Sequence, residues 1–325
     1  MLKSILALII CLCLLRVTSA CGPNSDTPAD NSSSVVSSEV GSGTATTVDG
    51  VHKVTDTDNV TNFLIFTDTH IGGKQKGIQG RVEKCLEWAN NDSGIDYVFF
   101  TGDNLDKGYV STPKEMKEQL GIFNEMVKAS NKPYYVMKGN HDPDVADPTF
   151  EKNLIIECGN VNVIGFFADY YEFNDEDYGF NYSTGKVSQK TIEWLDEAFS
   201  KSAGKRVILA CHYSIVKDNE NFSCPIEDVK NDIDFGRGKI LELAEKYNCE
   251  VYFSGHEHNS SCPTGIAGTL TNYSIGSVTV PDDGGNQLFA EVTVTDSSMT
   301  VEIRTLKNPD EILKTMNYDF KLAIK

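Results

Sequence analysis

The stretch NFLIFTDTH, residues 62–70, joins a run of apolar residues to a polar segment that ends in histidine. The apolar part is continuous rather than alternating, which is typical of a strand that is buried on both faces of a sheet. The stretch YVFFTGDN, residues 97–104, repeats this arrangement, and residues 79–91 between the two have apolar side chains at helical spacing. A strand, a helix and a second strand in this order predict an α/β fold.

The alternation of helices and strands continues along the chain. Further helices are predicted at residues 113–129, 187–199 and 238–247, and further strands at residues 134–137, 161–167, 206–210 and 250–253. From residue 269 to residue 306 strands follow one another, separated by polar turns, which predicts a second, more antiparallel sheet packed against the first. The acidic residues 172–177 are predicted to form a solvated loop.

The first twenty residues have the organisation of an export signal. Lys3 precedes an apolar run, residues 5–15, that is too short for an ordinary membrane span. The following Thr18-Ser19-Ala20-Cys21 resembles a bacterial lipobox, which predicts that Cys21 becomes the lipidated N-terminus of the mature protein. A lipid anchor would hold the protein at the outer face of the cell membrane without a spanning helix, and plain secretion is the alternative.

Residues 21–58 consist mainly of Ser, Thr, Asp, Gly and Val, and this composition cannot bury enough apolar surface to fold. The sequence therefore predicts a signal peptide at residues 1–20, a disordered tether at residues 21–58 and one folded domain at residues 59–325. His52, within the predicted tether, is expected to be solvated.

Composition restricts the class of partner. The net charge of the chain is -18, and it becomes -20 without the first twenty residues, whose only charged side chains are Lys3 and Arg16. Because this charge repels polyanions and no basic patch stands out, no nucleic acid is expected as a partner, and no protein partner is evident.

None of the nine cysteines has C-x-x-C spacing, and Cys224 and Cys262 are the first candidates for a disulfide in an exported protein.

Five of the six histidines lie in polar segments that directly follow predicted strands. Loops at the carboxyl ends of strands converge on one crevice in α/β folds, and mixed imidazole and carboxylate donors suit Mn, Fe, Zn or Ni better than Ca or Mg. Glycines stand before the polar residues, where a sharp turn out of the strand or a close approach of the backbone to a metal would leave no room for a side chain. The five segments are Asp68-Thr69-His70, Gly102-Asp103-Asn104, Gly139-Asn140-His141-Asp142, Cys211-His212 and Gly255-His256-Glu257-His258.

In this order the segments resemble the motifs of the calcineurin-like metallophosphoesterases, which are DxH, GD, GNH followed by Asp or Glu, His, and GHxH. The resemblance covers residues 63–258. It implies an α/β fold, a four-layer α-β-β-α sandwich of two mixed sheets flanked by helices, and a catalytic domain at residues 59–325. Purple acid phosphatases have DxG and a tyrosine where this chain has His70 and Asp106, so a tyrosinate-bound ferric ion is not expected.

The resemblance also implies roles for single residues. His141 would protonate the leaving group, and Asp106 would orient its ring. Asn104 could donate a hydrogen bond to a phosphoryl oxygen, with simple turn formation as the alternative, while Asp142 and Glu257 are expected only to support the site. The implied ligands of two transition-metal ions of unknown identity are Asp68, His70, Asp103 and His258 for one ion, and Asp103, Asn140, His212 and His256 for the other.

Two departures from the family pattern concern the substrate side. Lys107 stands where the protein phosphatases of the family have Arg, and Tyr213-Ser214 follows His212 where many relatives have prolines. The lysine argues against a protein phosphatase. The Tyr-Ser pair leaves undecided which residues line the edge of the substrate site.

The implied function is hydrolysis of small phosphomonoesters or phosphodiesters at the cell surface, by in-line attack of a metal-bridging hydroxide on phosphorus. One alternative is a cyclic-nucleotide-type phosphodiesterase, because such enzymes carry the same motif set. An alternative of another class is a non-catalytic surface binding protein in which the metals only stabilise the loops.

Overall fold

The computed structural model describes the chain from Gly50 onward, with several gaps. The described residues are 50–55, 59–73, 76–106, 112–142, 149–175, 180–217, 221–227, 236–281 and 285–325, with the backbone alone for 170–175 and 180–183. The predicted signal peptide, Cys21 and Lys107 lie outside these residues. Within them, no helix combines the length and the apolar character that a bilayer span requires.

The described elements comprise four helices and fifteen strands. The helices are α1 (Ile78–Asn91), α2 (Pro113–Val127), α3 (Gln189–Lys201) and α4 (Arg237–Lys246). The strands are β1 (Val51–Val54), β2 (Thr61–Phe66), β3 (Tyr97–Phe100), β4 (Tyr134–Val136), β5 (Leu154–Cys158), β6 (Val161–Gly165), β7 (Asp169–Asp175), β8 (Phe180–Lys186), β9 (Arg206–Ala210), β10 (Val251–Ser254), β11 (Thr264–Ala267), β12 (Leu270–Ser274), β13 (Leu288–Val294), β14 (Ser298–Thr305) and β15 (Ile312–Asp319).

Two mixed sheets carry the fold. Sheet A has the strand order β1-β5-β6-β9-β10-β12-β11, sheet B has the order β15-β14-β13-β2-β3-β4, and β7 and β8 form a two-stranded sheet. The strands β2, β3 and β4 run parallel in sheet B, and β9 runs parallel to β6 and β10 in sheet A. Strands that lead into the predicted site therefore point the same way within each sheet.

Three buried clusters separate four layers. Phe63 of β2 and Phe253 of β10 meet between the sheets in an edge-to-face contact, with ring centroids 6.3 Å apart. Leu64, the next residue along β2, points to the opposite face and packs in the cluster that α1 and α2 cover. Helices α3 and α4 cover the outer face of sheet A in the same way. The α-β-β-α sandwich implied by the sequence is thereby confirmed.

The carboxy-terminal strands correct the prediction of a separate antiparallel sheet. β12 pairs in parallel with β10 and extends sheet A, whereas β13 pairs antiparallel with β2, with Ala290 opposite Ile65, and extends sheet B. Both additions supply hydrogen-bond partners to strands that would otherwise present unpaired backbone groups. The predicted acidic loop is also wrong in part, because β7 includes residues 172–175 and pairs with β8.

The folded domain begins earlier than predicted. Val51–Val54, assigned to the tether, pairs in parallel with β5 as strand β1. His52 is buried, with its Nε2 atom 2.7 Å from Glu151 Oε1 and its ring 4.8 Å from the ring of Tyr135. The prediction failed because a four-residue strand has too little apolar pattern to stand out, and its partner lies a hundred residues away in the sequence. The structure shows Cys224 and Cys262 without a disulfide between them, contrary to the suggested pairing.

Candidate metal centre

The five predicted segments follow five strands of two different sheets. The ends of β2, β3 and β4 in sheet B lead to the segments of Asp68, Asp103 and Asn140, and the ends of β9 and β10 in sheet A lead to those of His212 and His256. Side chains from both sheets lie within contact distance of one another at this edge of the sandwich. The predicted convergence is therefore present.

One group of donors consists of Asp68, His70 and His258, whose ligand atoms all lie within 4.8 Å of one another. The Nε2 atom of His258 is 2.9 Å from Asp68 Oδ1 and 3.2 Å from His70 Nε2. Asp68 is completely buried. Two imidazole nitrogens and a carboxylate oxygen thus face one common point, as the donors of a transition metal do.

A second group consists of Asp103, His212 and His256. The Nε2 atom of His212 is 3.2 Å from Asp103 Oδ2 and 3.3 Å from His256 Nδ1. Asp103 Oδ2 is also 3.8 Å from His70 Nε2 in the first group, so this carboxylate oxygen lies between the two groups. Among the described residues no hydrogen-bond donor reaches the buried Asn140 Oδ1, an acceptor that a cation would satisfy.

His141 stands at the open side of these groups and is about a quarter exposed, with 28% of its side-chain surface accessible. Its Nδ1 atom is 3.5 Å from Asp106 Oδ1, and its Nε2 atom is 4.0 Å from Asp103 Oδ2. The backbone N–H of His141 donates to Asp103 Oδ1 at 2.8 Å. One ring nitrogen therefore faces the carboxylate of Asp106, and the other faces the region between the two donor groups.

The charges of the site are mutually compensated. Burial disfavours an ionised carboxylate, but His258 and His212 hold the pKa of Asp68 well below its usual range, and His212 does the same for Asp103. Burial opposes a charge on His212 as well, yet Asp103 and Asp68 raise its pKa to about 9. Burial and the neighbouring His212 lower the pKa of His256 to about 4, which keeps that ring neutral.

The backbone of the site is held in an uncommon conformation. Left-handed φ angles cost residues other than glycine about 1–3 kcal/mol each and persist only where the surroundings enforce them. The hydroxyl of Thr279 donates to the backbone carbonyl of Asp68 at 2.5 Å and is part of that enforcement. The site residues with positive φ are Asp68 (56°), His70 (41°), Asp103 (50°), His256 (67°) and His258 (48°).

The glycines before the donor residues allow the segments to approach one another. Gly102 has a φ of 111°, and a Cβ atom there would lie 2.7 Å from His212 Nδ1. A Cβ atom on Gly139 would overlap the carboxylate of Asp103, and one on Gly255 would overlap the hydroxyl of Thr67. Close approach of neighbouring side chains is therefore the reason for all three.

Asn104 corrects the expectation of a substrate contact. It is fully buried, and its amide group donates to Met137 O and to Asp142 Oδ2, each at 2.9 Å. Both N–H groups of the side chain are therefore occupied within the protein. Asp142 also accepts from the backbone N–H groups of Gly139 and Leu105, so Asn104 and Asp142 together join the loops after β3 and β4.

Tyr213 and Ser214 do not form the substrate rim. Tyr213 is fully buried, and its ring lies 4.4 Å from the ring of His256, where it packs against that donor. Ser214 is buried as well, and its hydroxyl donates to Asn272 Oδ1 at 3.0 Å.

Sequence reasoning missed the hydroxyl groups of Thr67, Ser277 and Thr279. Thr67 donates to Asp68 Oδ2 at 2.8 Å, and the other two contact the backbone carbonyl of Asp68. The position of Ser277 and Thr279 directly after strand β12 could have indicated them, but this segment contains no histidine.

The chain is similar to known proteins. Residues 61–260, more than half of the chain, match the model of the calcineurin-like phosphoesterase family. A probable glycerophosphodiester phosphodiesterase, GpdQ of Arcobacter nitrofigilis, is 28% identical over 214 residues, which cover 60% of this chain and 71% of that protein. The uncharacterized protein YvnB of Bacillus subtilis is 26% identical over 197 residues, which cover 55% of this chain but 14% of that protein.

Solved structures support the fold. A dimetal phosphatase from Danio rerio superimposes with a TM-score of 0.59 at 12% identity, covering 81% of this chain and all of that chain. GAP50, described as the anchor in the inner membrane complex of Plasmodium, gives a TM-score of 0.55 at 12% identity, covering 82% and 90% of the two chains. Together with the donor groups, the family match establishes that the chain belongs to the calcineurin-like phosphoesterase family and is a metal-dependent phosphoric ester hydrolase.

Proposed function

We propose that the protein is a binuclear phosphodiesterase that hydrolyses small phosphodiesters at the outer face of the cell membrane, with phosphomonoesters as poorer substrates. The observation that carries the proposal is the position of Asp103 Oδ2 between two groups of imidazole and carboxylate donors. The preference for diesters is supported by the similarity to the probable glycerophosphodiester phosphodiesterase.

The residues present fit two transition-metal ions. Asp103 would be shared by both ions, and the unsatisfied Asn140 Oδ1 would complete the second set. Bound there, the ions supply a nucleophile by lowering the pKa of water, and they neutralise the negative charge on the phosphoryl oxygens. The remaining ligands would be Asp68, His70 and His258 on one side, and His212 and His256 on the other.

His141 would act as the general acid. Its Nδ1 atom faces Asp106, so the ring is oriented with Nε2 towards the donor groups, where the ester would bind. A proton held at Nε2 can pass to the departing alkoxide oxygen, which would otherwise leave as a strong base. Asp106 would hold the ring in this orientation.

Steady-state assays of the metal-loaded protein test this function. With Mn²⁺, Zn²⁺ or Fe²⁺, we expect a higher kcat/KM on bis-nitrophenyl phosphate than on nitrophenyl phosphate. Faster turnover of cyclic AMP than of both esters would favour the cyclic-nucleotide alternative. Absence of turnover on all three, with two metal ions bound, would reject the proposal. The non-catalytic alternative has lost support through the family match.

The location at the membrane rests on the sequence around Cys21. We expect Cys21→Ser to shift the protein from the membrane fraction to the soluble fraction of cells, because the thioether to the lipid cannot form. Fractionation followed by immunoblotting measures this shift. A wild-type protein found only in the medium would instead support plain secretion.

Metal binding should release protons near neutral pH. Because Asp103 and Asp68 raise the pKa of His212 to about 9, its ring is protonated in the metal-free protein, and a ligating ring has to lose that proton. Apparent metal affinity should therefore rise with pH up to about 9 and less steeply above it. Titration calorimetry in buffers of different ionisation enthalpy counts the protons. The control His52→Gln, outside the metal centre, should release the same number, and equal heats in all buffers would contradict this prediction.

A further inference from the structure

Glu257 lies between two predicted ligands, yet its carboxylate serves another part of the chain. Oε1 accepts from the backbone N–H of Cys224 at 2.8 Å. Oε2 accepts from the backbone N–H of Ser223 at 3.1 Å and from the Ser223 hydroxyl at 2.7 Å. All three hydrogen bonds join Glu257 to two consecutive residues, Ser223 and Cys224. These residues belong to the segment 221–227, which we name the rim segment.

The rim segment is tied to the other ligand loop of sheet A as well. The backbone N–H of Ile226 donates to the carbonyl of Ser214, two residues after His212, at 2.7 Å. The backbone N–H of Gly185, in β8, donates to Pro225 O at 3.1 Å. Phe222 is buried and packs against Gly265, whose missing side chain leaves room for the ring. The segment therefore bridges the loops that carry the His212 and His256 donors.

One residue of the rim segment is exposed to solvent. Ser223 is exposed, whereas Phe222 and Ile226 on either side are buried. Glu257 and the neighbouring His258 are partly exposed, as is His141 across the site. One hydroxyl and two backbone N–H groups of the rim segment thus donate to a carboxylate in the loop that carries His256 and His258.

We propose that Glu257 is a positioning residue that fixes the rim segment beside the metal centre, and that the rim segment holds the second ester group of a phosphodiester. This inference rests on the proposed function, because a monoester has no second ester group to hold. Glu257 would thereby set the preference for diesters over monoesters without touching the reacting atoms. A charged acceptor suits this role, since hydrogen bonds to a carboxylate are roughly twice as strong as neutral ones.

Two variants and a matched control test the proposal. Glu257→Ala removes all three acceptor contacts, and Glu257→Gln keeps one amide oxygen. We expect Glu257→Ala to lower kcat/KM on bis-nitrophenyl phosphate by more than about tenfold, mainly through KM, because ordering of the second ester group is lost. The same variant should change kcat/KM on nitrophenyl phosphate by less than about threefold, with two metal ions still bound. Glu257→Gln should fall between, and the control Glu242→Gln, exposed on α4, should match wild type.

Equal losses on both esters, loss of metal, or no change on either ester would overturn the proposal. Amide hydrogen exchange of a peptide covering the rim segment provides a readout that does not depend on turnover, and Glu257→Ala should accelerate it. Unchanged exchange would show that Glu257 does not anchor the segment. If wild type hydrolyses neither ester, the proposed function fails and the selectivity role fails with it, while the exchange result still decides the anchoring.

Discussion

Replacing Asp103 with asparagine should remove at least one of the two metal ions and lower kcat/KM by more than about 10³-fold, beyond the typical effect of losing one electrostatic contact. The carboxylate oxygen Oδ2 is 3.2 Å from His212 Nε2 and 3.8 Å from His70 Nε2, so both donor groups depend on it. Asparagine retains one oxygen for the N–H of His141 but presents a neutral amide to the other side. Metal analysis of the purified variant and steady-state kinetics measure the two effects.

The same substitution has a second consequence in the metal-free protein. Asp103 helps to hold His212 in its charged form, and breaking a buried ion pair by removing one partner costs about 3–5 kcal/mol unless the remaining group loses its charge. We therefore expect the pKa of His212 to fall. Nuclear magnetic resonance titration of the ring measures that fall. Asp319→Asn, exposed on β15, is the control and should keep both metals. Two bound metals with near wild-type activity in Asp103→Asn would contradict the shared role.

Replacing His141 with alanine should lower kcat by about 10²–10⁴-fold while both metal ions stay bound, because the proton donor is lost and the ligands are not. The loss should be greatest for diesters with alkyl leaving groups, since an alkoxide needs protonation more than nitrophenolate does. A series of diesters of increasing leaving-group pKa measures this as a steeper dependence of log kcat on that pKa.

Asp106→Asn is the matched variant for this test. Asp106 contacts Nδ1 of His141 and not the reacting atoms, so we expect a smaller loss, about tenfold or more, together with a change in the pH profile of kcat. An equal loss of kcat for good and poor leaving groups in His141→Ala would contradict general-acid catalysis. Loss of metal from that variant would instead make His141 a ligand.

Much of the central architecture could be predicted from the sequence. β9 has the predicted bounds, and β3 is the apolar part of the stretch quoted at residues 97–104, because each is an apolar run that ends at a polar segment. The donors converge as expected because strand ends within each parallel set point the same way. By contrast, β1 and the β7–β8 hairpin were missed, since short or peripheral strands lack a continuous apolar run.

The details of the site that were missed depend on contacts between distant residues. The sequence shows Asn104 as a polar residue in a ligand loop, but only the fold shows that Met137 and Asp142 occupy its donors. Likewise, Glu257 was expected only to have a supporting role, and its partners Ser223 and Cys224 lie more than thirty residues earlier. Hydrogen-bond partners at such separation carry no local pattern.

The division of the donors between two sheets links the catalytic geometry to the thickness of the sandwich. Sheet B supplies Asp68 and Asp103, sheet A supplies His212, and the spacing of the sheets is set by side chains such as Phe63 and Phe253. A smaller residue at either aromatic position would let the layers draw together, and the separation of the donors would change with them. Metal ions bound across this seam would in turn resist sliding of one sheet over the other. The hydrophobic core thus sets the distance between the donor residues of the two sheets.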